Sequence, residues 1–241
     1  MLKKILSSQM GKSNLGWLKS QFHFSFAEYY NPDNINFGVL RVINDDLIEA
    51  NKGFGTHPHK DMEIISYVID GELSHGDSMG NHGIISRGNI QYMSAGTGVY
   101  HSEYNRGKEE VRLLQIWIFP DLRGYQPNYG DYNFDWDLRV NKWLPLVSSH
   151  RGNAQIKINQ DANISVIHLE KGRETDFKVG LNRQAYLVQI EGTSKINNLE
   201  LKSRDGLEIV EEDLNIFAVE TSHLLIIEMK KTSERETKGG N

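Results

Sequence analysis

Between residues 37 and 227 the chain is written in short apolar runs rich in valine, isoleucine and aromatic residues, each stopped within about nine residues by a turn signal. Residues 37–44 end at Asn44-Asp45-Asp46, residues 63–69 end at Asp70-Gly71, and the longest run, 111–119, ends at Pro120. Runs of this length and composition favour strands, and Asp-Gly between two of them is a hairpin turn. After a polar stretch from 121 to about 153 that carries Tyr125, Trp136 and Trp143, the pattern resumes at 155–158, 164–169, 185–190, 215–219 and 224–227. Turns at Glu191-Gly192 and Asp205-Gly206 resemble those of the first half. The expectation is an all-β chain of two similar barrels or sandwiches, joined by an irregular crossover with a short helix near Trp143.

Two short segments of the first half carry the chemistry. Residues 53–63 contain His57-Pro58-His59, and residues 96–105 contain His101-Ser102-Glu103. On an extended chain, side chains at i and i+2 point to the same face. Four ligands, His57, His59, His101 and Glu103, therefore converge if the two segments are neighbours in a sheet. Three imidazoles and a carboxylate suit a borderline transition metal, whereas magnesium and calcium prefer all-oxygen shells. Gly53, Gly55, Gly96 and Gly98 precede the pairs, as expected where the backbone bulges or takes a positive φ. His75, with Asp77 two residues on, reads as a solvated turn-flanking residue. His168 and His223 stand alone in strand patterns, so the second half is expected to be metal-free.

Composition removes several function classes. There is no cysteine, hence no disulfide, thiolate nucleophile or iron–sulfur cluster. A formal charge of −5 offers no basic footprint for nucleic acid. No apolar run approaches a membrane span, and the first residues lack the apolar core of a signal peptide, so a cytoplasmic location is expected.

Thr56-His57-Pro58-His59 with Glu63, Asp77-Ser78-x-Gly80, Gln91-Tyr92-Met93-x-Ala95-Gly96-x-Gly98-x-x-His101-Ser102-Glu103 and Leu114-Gln115-Ile116-Trp117 together resemble the pirin family of the cupin superfamily. The resemblance implies a bicupin: residues 1–135 as the metal-bearing barrel and 136–231 as a cupin-like barrel without metal; residues 232–241, polar and lacking apolar side chains, are expected to be a disordered tail. It implies a metal held by His57, His59, His101 and Glu103. Fe(II) is implied by the family alone, and Ni, Cu, Co, Mn or Zn also suit the ligands. Bacterial members are described as quercetin 2,3-dioxygenases, so a flavonol and O₂ are the expected partners, with Glu103 as general base. Pocket residues are expected at Phe22, Phe24, Phe26, Met93, Gln115 and Trp117, and Glu63 behind the ligands. Eukaryotic pirins imply a second reading, a metal- and redox-sensing module acting through a protein partner.

Overall fold

The computed structural model describes residues 1–232. Among them are strands and two short 3₁₀ helices, Ser7–Gln9 and Trp136–Arg139, and no α-helix. The tail expected to be disordered lies, from Ser233 onward, outside the described residues. In chain order the strands are β1 (Leu2–Ile5), β2 (Gly11–Asn14), β3 (Leu18–Phe22), β4 (Leu40–Ile48), β5 (Gly53–His59), β6 (Glu63–Asp70), β7 (Glu72–Asp77), β8 (His82–Ser86), β9 (Ile90–Ser94), β10 (Val99–Tyr104), β11 (Val111–Ile118) and β12 (Asn128–Tyr132). The crossover helix forms at Trp136–Arg139 rather than at Trp143, because Asp135 caps it by accepting a hydrogen bond from the backbone N–H of Asp137. Then follow β13 (Leu144–Ser149), β14 (Ile156–Ile158), β15 (Ala162–Leu169), β16 (Glu174–Phe177), β17 (Arg183–Glu191), β18 (Thr193–Ile196), β19 (Leu199–Lys202), β20 (Gly206–Val210), β21 (Leu214–Ala218) and β22 (Ser222–Lys230).

Each barrel pairs a seven-stranded sheet with a four-stranded one. The first joins β12-β9-β6-β11-β4-β3-β2 to β5-β10-β7-β8, and the second joins β1-β20-β17-β22-β15-β13-β14 to β16-β21-β18-β19. One strand crosses the expected division of the chain. β1 lies within residues 1–135, yet it runs antiparallel to β20, Leu2 opposite Ile209 and Ile5 opposite Gly206, as an edge strand of the second barrel.

The two large sheets pack back to back. Ile43, Ile65, Tyr67, Leu114 and Ile116 share one continuous core with Ile164, Val166, Tyr186, Leu225 and Ile227 of the other barrel. On the opposite face of the first large sheet, Val68, Val111 and Leu113 meet Leu73 and Ile85 of its small sheet. Sheets covered on both faces have no solvent-facing alternation to display. That is why these strands read as unbroken apolar runs.

Alternation within β6 then decides where Glu63 points. It shares a face with Ile65 and Tyr67, toward the second barrel, where its Oε1 accepts from Ser94 Oγ at 2.8 Å and from Asn159 Nδ2 at 3.1 Å. The expected place behind the metal ligands is therefore taken by Ser66, on the other face. Burial raises the Glu63 carboxyl pKa, against hydrogen bonds from Ser94 and Asn159 that lower it. A carboxyl raised on folding costs stability as pH climbs through its folded pKa. Glu63→Gln should gain of order 1 kcal/mol over the natural protein at pH 8, less at pH 5, with metal affinity changed no more than about twofold. Urea melts at the two pH values and a metal titration check both halves of that result.

Polar ties also cross the junction. The buried Asp45 carboxylate takes a two-pronged contact from Arg112, at 2.6 and 2.9 Å, and lies 3.4 Å from Arg204 of the second barrel. His23 Nδ1 lies 2.9 Å from the Tyr186 hydroxyl, and Tyr67 bridges His223 and the fully buried Arg139.

Candidate metal centre

β5 and β10 are antiparallel neighbours, with Val99 opposite His59 and His101 opposite His57. Directly opposed residues share a face, so the i, i+2 pairs of both strands look into the first barrel. A bulge follows: the step from His101 to Glu103 on β10 matches the longer step from His57 to Phe54 on β5. Glycine is required there, since a β-carbon on Gly53 would lie 2.2 Å from the Glu103 carbonyl oxygen. Gly96, at φ +44°, sits in the turn that starts β10, with Tyr125 O 1.9 Å from where its β-carbon would be. The arm after β11 docks on that turn, and Thr97 N–H donates to the same carbonyl at 2.9 Å.

Three imidazoles meet at one point. The ring centroids of His57 and His101 are 4.5 Å apart, those of His57 and His59 4.8 Å, and those of His59 and His101 4.9 Å. Burial, reinforced by the neighbouring rings, pushes His101 down to about 3 and His59 down to about 4. Both are neutral at pH 7 and offer lone pairs, the form a metal requires.

Glu103 is held by the large sheet. Its Oε1 accepts from Ser66 Oγ at 2.7 Å and Gln91 Nε2 at 2.6 Å, and its Oε2 from Gln115 Nε2 at 2.7 Å. All four side chains are buried. Gln115, expected in the pocket, thus orients the carboxylate. A carboxylate has about four lone-pair sites, so roughly one remains free.

His75 is the residue that the sequence reading passed over. Its strand, β7, pairs with β10 so that His75 faces Glu103 and Asp77 faces His101, and the two side chains are 1% and 0% exposed. Its ring stacks on Tyr129 at 4.3 Å. The signal was present: His75-Gly76-Asp77 is a third pair of ligand-type residues at i, i+2. Ligand atoms within 4.8 Å of one another form two groups, His57 with His59 and His101, and His75 with His101 and Glu103. This donor set fits a transition ion, with imidazole nitrogens and one carboxylate brought together around His101 from the walls of a barrel.

The aromatic residues divide between two places. Trp117 meets His59 edge-on at 4.9 Å, Phe26 meets Trp117 at 5.3 Å, and Phe22 meets Phe26 at 5.8 Å, forming a wall beside the imidazoles. Met93 packs with Ile64 and Val99 next to Trp117. Phe24, expected in that wall, instead lies in the core between the barrels, 5.2 Å from Tyr186. Regular alternation ends with β3 at Phe22, and the irregular chain beyond it turns Phe24 to the other side. A cavity of about 540 Å³ opens at His59, lined also by Pro58, Lys60, Thr97, Gly98 and Tyr100.

Two cupin-type barrels, one bearing a His₃ cluster with a fixed carboxylate, define the class: a bicupin with a cluster suited to a metal ion. The family described as Pirin matches residues 4–118, and the quercetinase C-terminal cupin domain matches residues 146–229. A protein of Escherichia coli strain K12 named quercetin 2,3-dioxygenase is 40% identical, the match covering 92% of this chain and 96% of that one. A pirin-like protein of Caulobacter vibrioides is 42% identical over 91% of this chain and 96% of its own length. Among solved structures, the E. coli bacterial pirin YhhW in complex with nickel(II) superposes with a TM-score of 0.90 at 38% identity, covering 96% of this chain and all of that one. The chain belongs to the pirin family. No helix among the described residues is long and apolar enough to cross a membrane.

Proposed function

We propose that the protein is a mononuclear metal-dependent dioxygenase that opens the heterocyclic ring of a flavonol such as quercetin. Both atoms of O₂ enter the organic product, a phenolic ester, and one ring carbon leaves as carbon monoxide. The observation that carries this reading is the cluster of three imidazoles, His57, His59 and His101, with the fixed Glu103 carboxylate next to His101, beside an aromatic wall and an open cavity. The E. coli relative named for this reaction supports it.

His57, His59, His101 and Glu103 are the residues that would hold the ion. When bound, a divalent transition metal supplies Lewis acidity, which acidifies a hydroxyl brought to it, and the redox character that reaction with O₂ needs. With the substrate in place, Glu103 would give up its hold on the ion and take the proton of the flavonol 3-hydroxyl on that one remaining lone pair, while Ser66, Gln91 and Gln115 keep its oxygens aimed. Phe26 and Trp117 give the flat rings an apolar surface and keep water from the reacting edge.

The deciding experiment strips the protein of metal, reloads it with Fe(II), Mn(II), Co(II), Ni(II), Cu(II) or Zn(II), and follows quercetin-dependent O₂ uptake and carbon monoxide release. Turnover with one ion above the free-metal control is the expected result and names the metal. Stoichiometric loading by every ion with no substrate-dependent O₂ uptake would sink the dioxygenase reading.

A further inference from the structure

Two buried ring nitrogens beside the metal ligands have no hydrogen-bond partner, His101 Nδ1 and His75 Nδ1. Their rings are neighbours, with centroids 5.4 Å apart. Contacts on the far side of each ring show which nitrogen faces which partner. His57 Nδ1 lies 2.8 Å from the Gly55 carbonyl, which can only accept, so Nδ1 donates there. His57 Nε2 and His101 Nε2 face one another at 3.1 Å, which leaves His101 Nδ1 on the other side of its ring. On His75, Nε2 is 3.2 Å from Asp77 Oδ2. The Asp77 carboxylate otherwise collects donors only, from the backbone of Met79 and from the backbone and side chain of Asn81, so it acts as an acceptor and His75 Nε2 carries the proton. His75 Nδ1 is then the nitrogen of that ring placed to accept, and His101 Nδ1 beside it has no other partner.

An ion held at His101 Nε2 would leave the one N–H of the neutral imidazole on Nδ1. That N–H needs an acceptor, because ligating histidines almost always donate their second nitrogen to one. Glu103 is the other acceptor of this group, but it already takes three hydrogen bonds. We propose that His75, oriented by Asp77, is the positioning residue for ligand His101, receiving a hydrogen bond from His101 Nδ1 once the ion is bound. The inference rests on the metal reading of the site and is independent of the substrate.

Its test measures zinc affinity of the metal-stripped protein by chelator competition. His75→Phe keeps a ring against Tyr129 and removes the acceptor, and His75→Gln puts an acceptor back. The phenylalanine variant should bind zinc about 10–100-fold more weakly, and the glutamine variant should recover most of that loss. In the zinc-loaded natural protein, nitrogen NMR should find the His101 proton on Nδ1. If the natural protein binds no zinc, the metal reading and this inference fall together. If it binds zinc and His75→Phe binds within twofold as well, the inference alone falls. Equal losses in the two variants would mean that His75 only packs, and a zinc-loaded His101 protonated on Nε2 would also overturn the assignment.

Discussion

His59→Ala should lose the metal and the activity together. His59 is one of three rings that close on a single point, and its removal leaves two imidazoles there with a carboxylate that has about one lone pair left to offer. Loss of an outer hydrogen-bond partner weakens metal binding by about 10–100-fold, and loss of a ligand itself should exceed that range. The fold should survive, because His59 lies at the cavity rim and outside the buried cores. Metal analysis after gel filtration, together with a melting curve, checks this. Full metal content and turnover in His59→Ala would place the ion elsewhere.

The second large effect is acid sensitivity at the junction between the barrels. His23 and His223 are each about 1% exposed, and burial pushes both down to about 4, although Asp45 and Asp205 pull His23 upward and Glu191 pulls His223 upward. In the unfolded chain imidazoles protonate near 6.5. Between those values the unfolded state binds more protons, so stability is complete above pH 6.5 and falls as pH drops toward 4. Each ring contributes of order 3 kcal/mol across that window. Urea melts of the ion-free protein at pH 7.5 and 4.5 should show a steep decline, and His23→Gln, which can still bond Tyr186, should lose about half of the part due to the two rings. An unchanged slope in that variant would mean that the His23 ring is charged or hydrated in the folded state.

Much of the metal cluster was legible because it depends on parity alone. Two residues apart on a strand means the same face, and this applies to His57 with His59 and to His101 with Glu103 whatever the tertiary structure. The same rule applied to His75 and Asp77 would have found them, but the adjacent Ser78-Met79-Gly80-Asn81 turn suggested solvent. Glu63 and Phe24 failed for a different reason. When both faces of a sheet are buried, sequence distinguishes inside from outside poorly, and it does not say which of two interiors a side chain enters. Glu63, one position from Ile64, enters the interior between the barrels. The orienting role of Gln115 was not legible, since its hydrogen bond to Glu103 joins residues 12 apart through the barrel.

The first strand carries a consequence for how the molecule is made. β1 emerges from the ribosome early, but its partner lies far downstream, with Lys3 and Glu208 separated by 205 positions. At roughly 5–20 residues per second the opening segment waits some tens of seconds, at the slower rates, for a sheet to join. During that interval the first barrel can form from its own strands, whereas the second cannot finish its large sheet until β1 and β20 are both present. A fragment starting after the crossover would leave the edge of β20 open to pairing with other chains. Adding a separate β1 peptide should then suppress its aggregation, because it supplies the one neighbour that the free edge of β20 lacks.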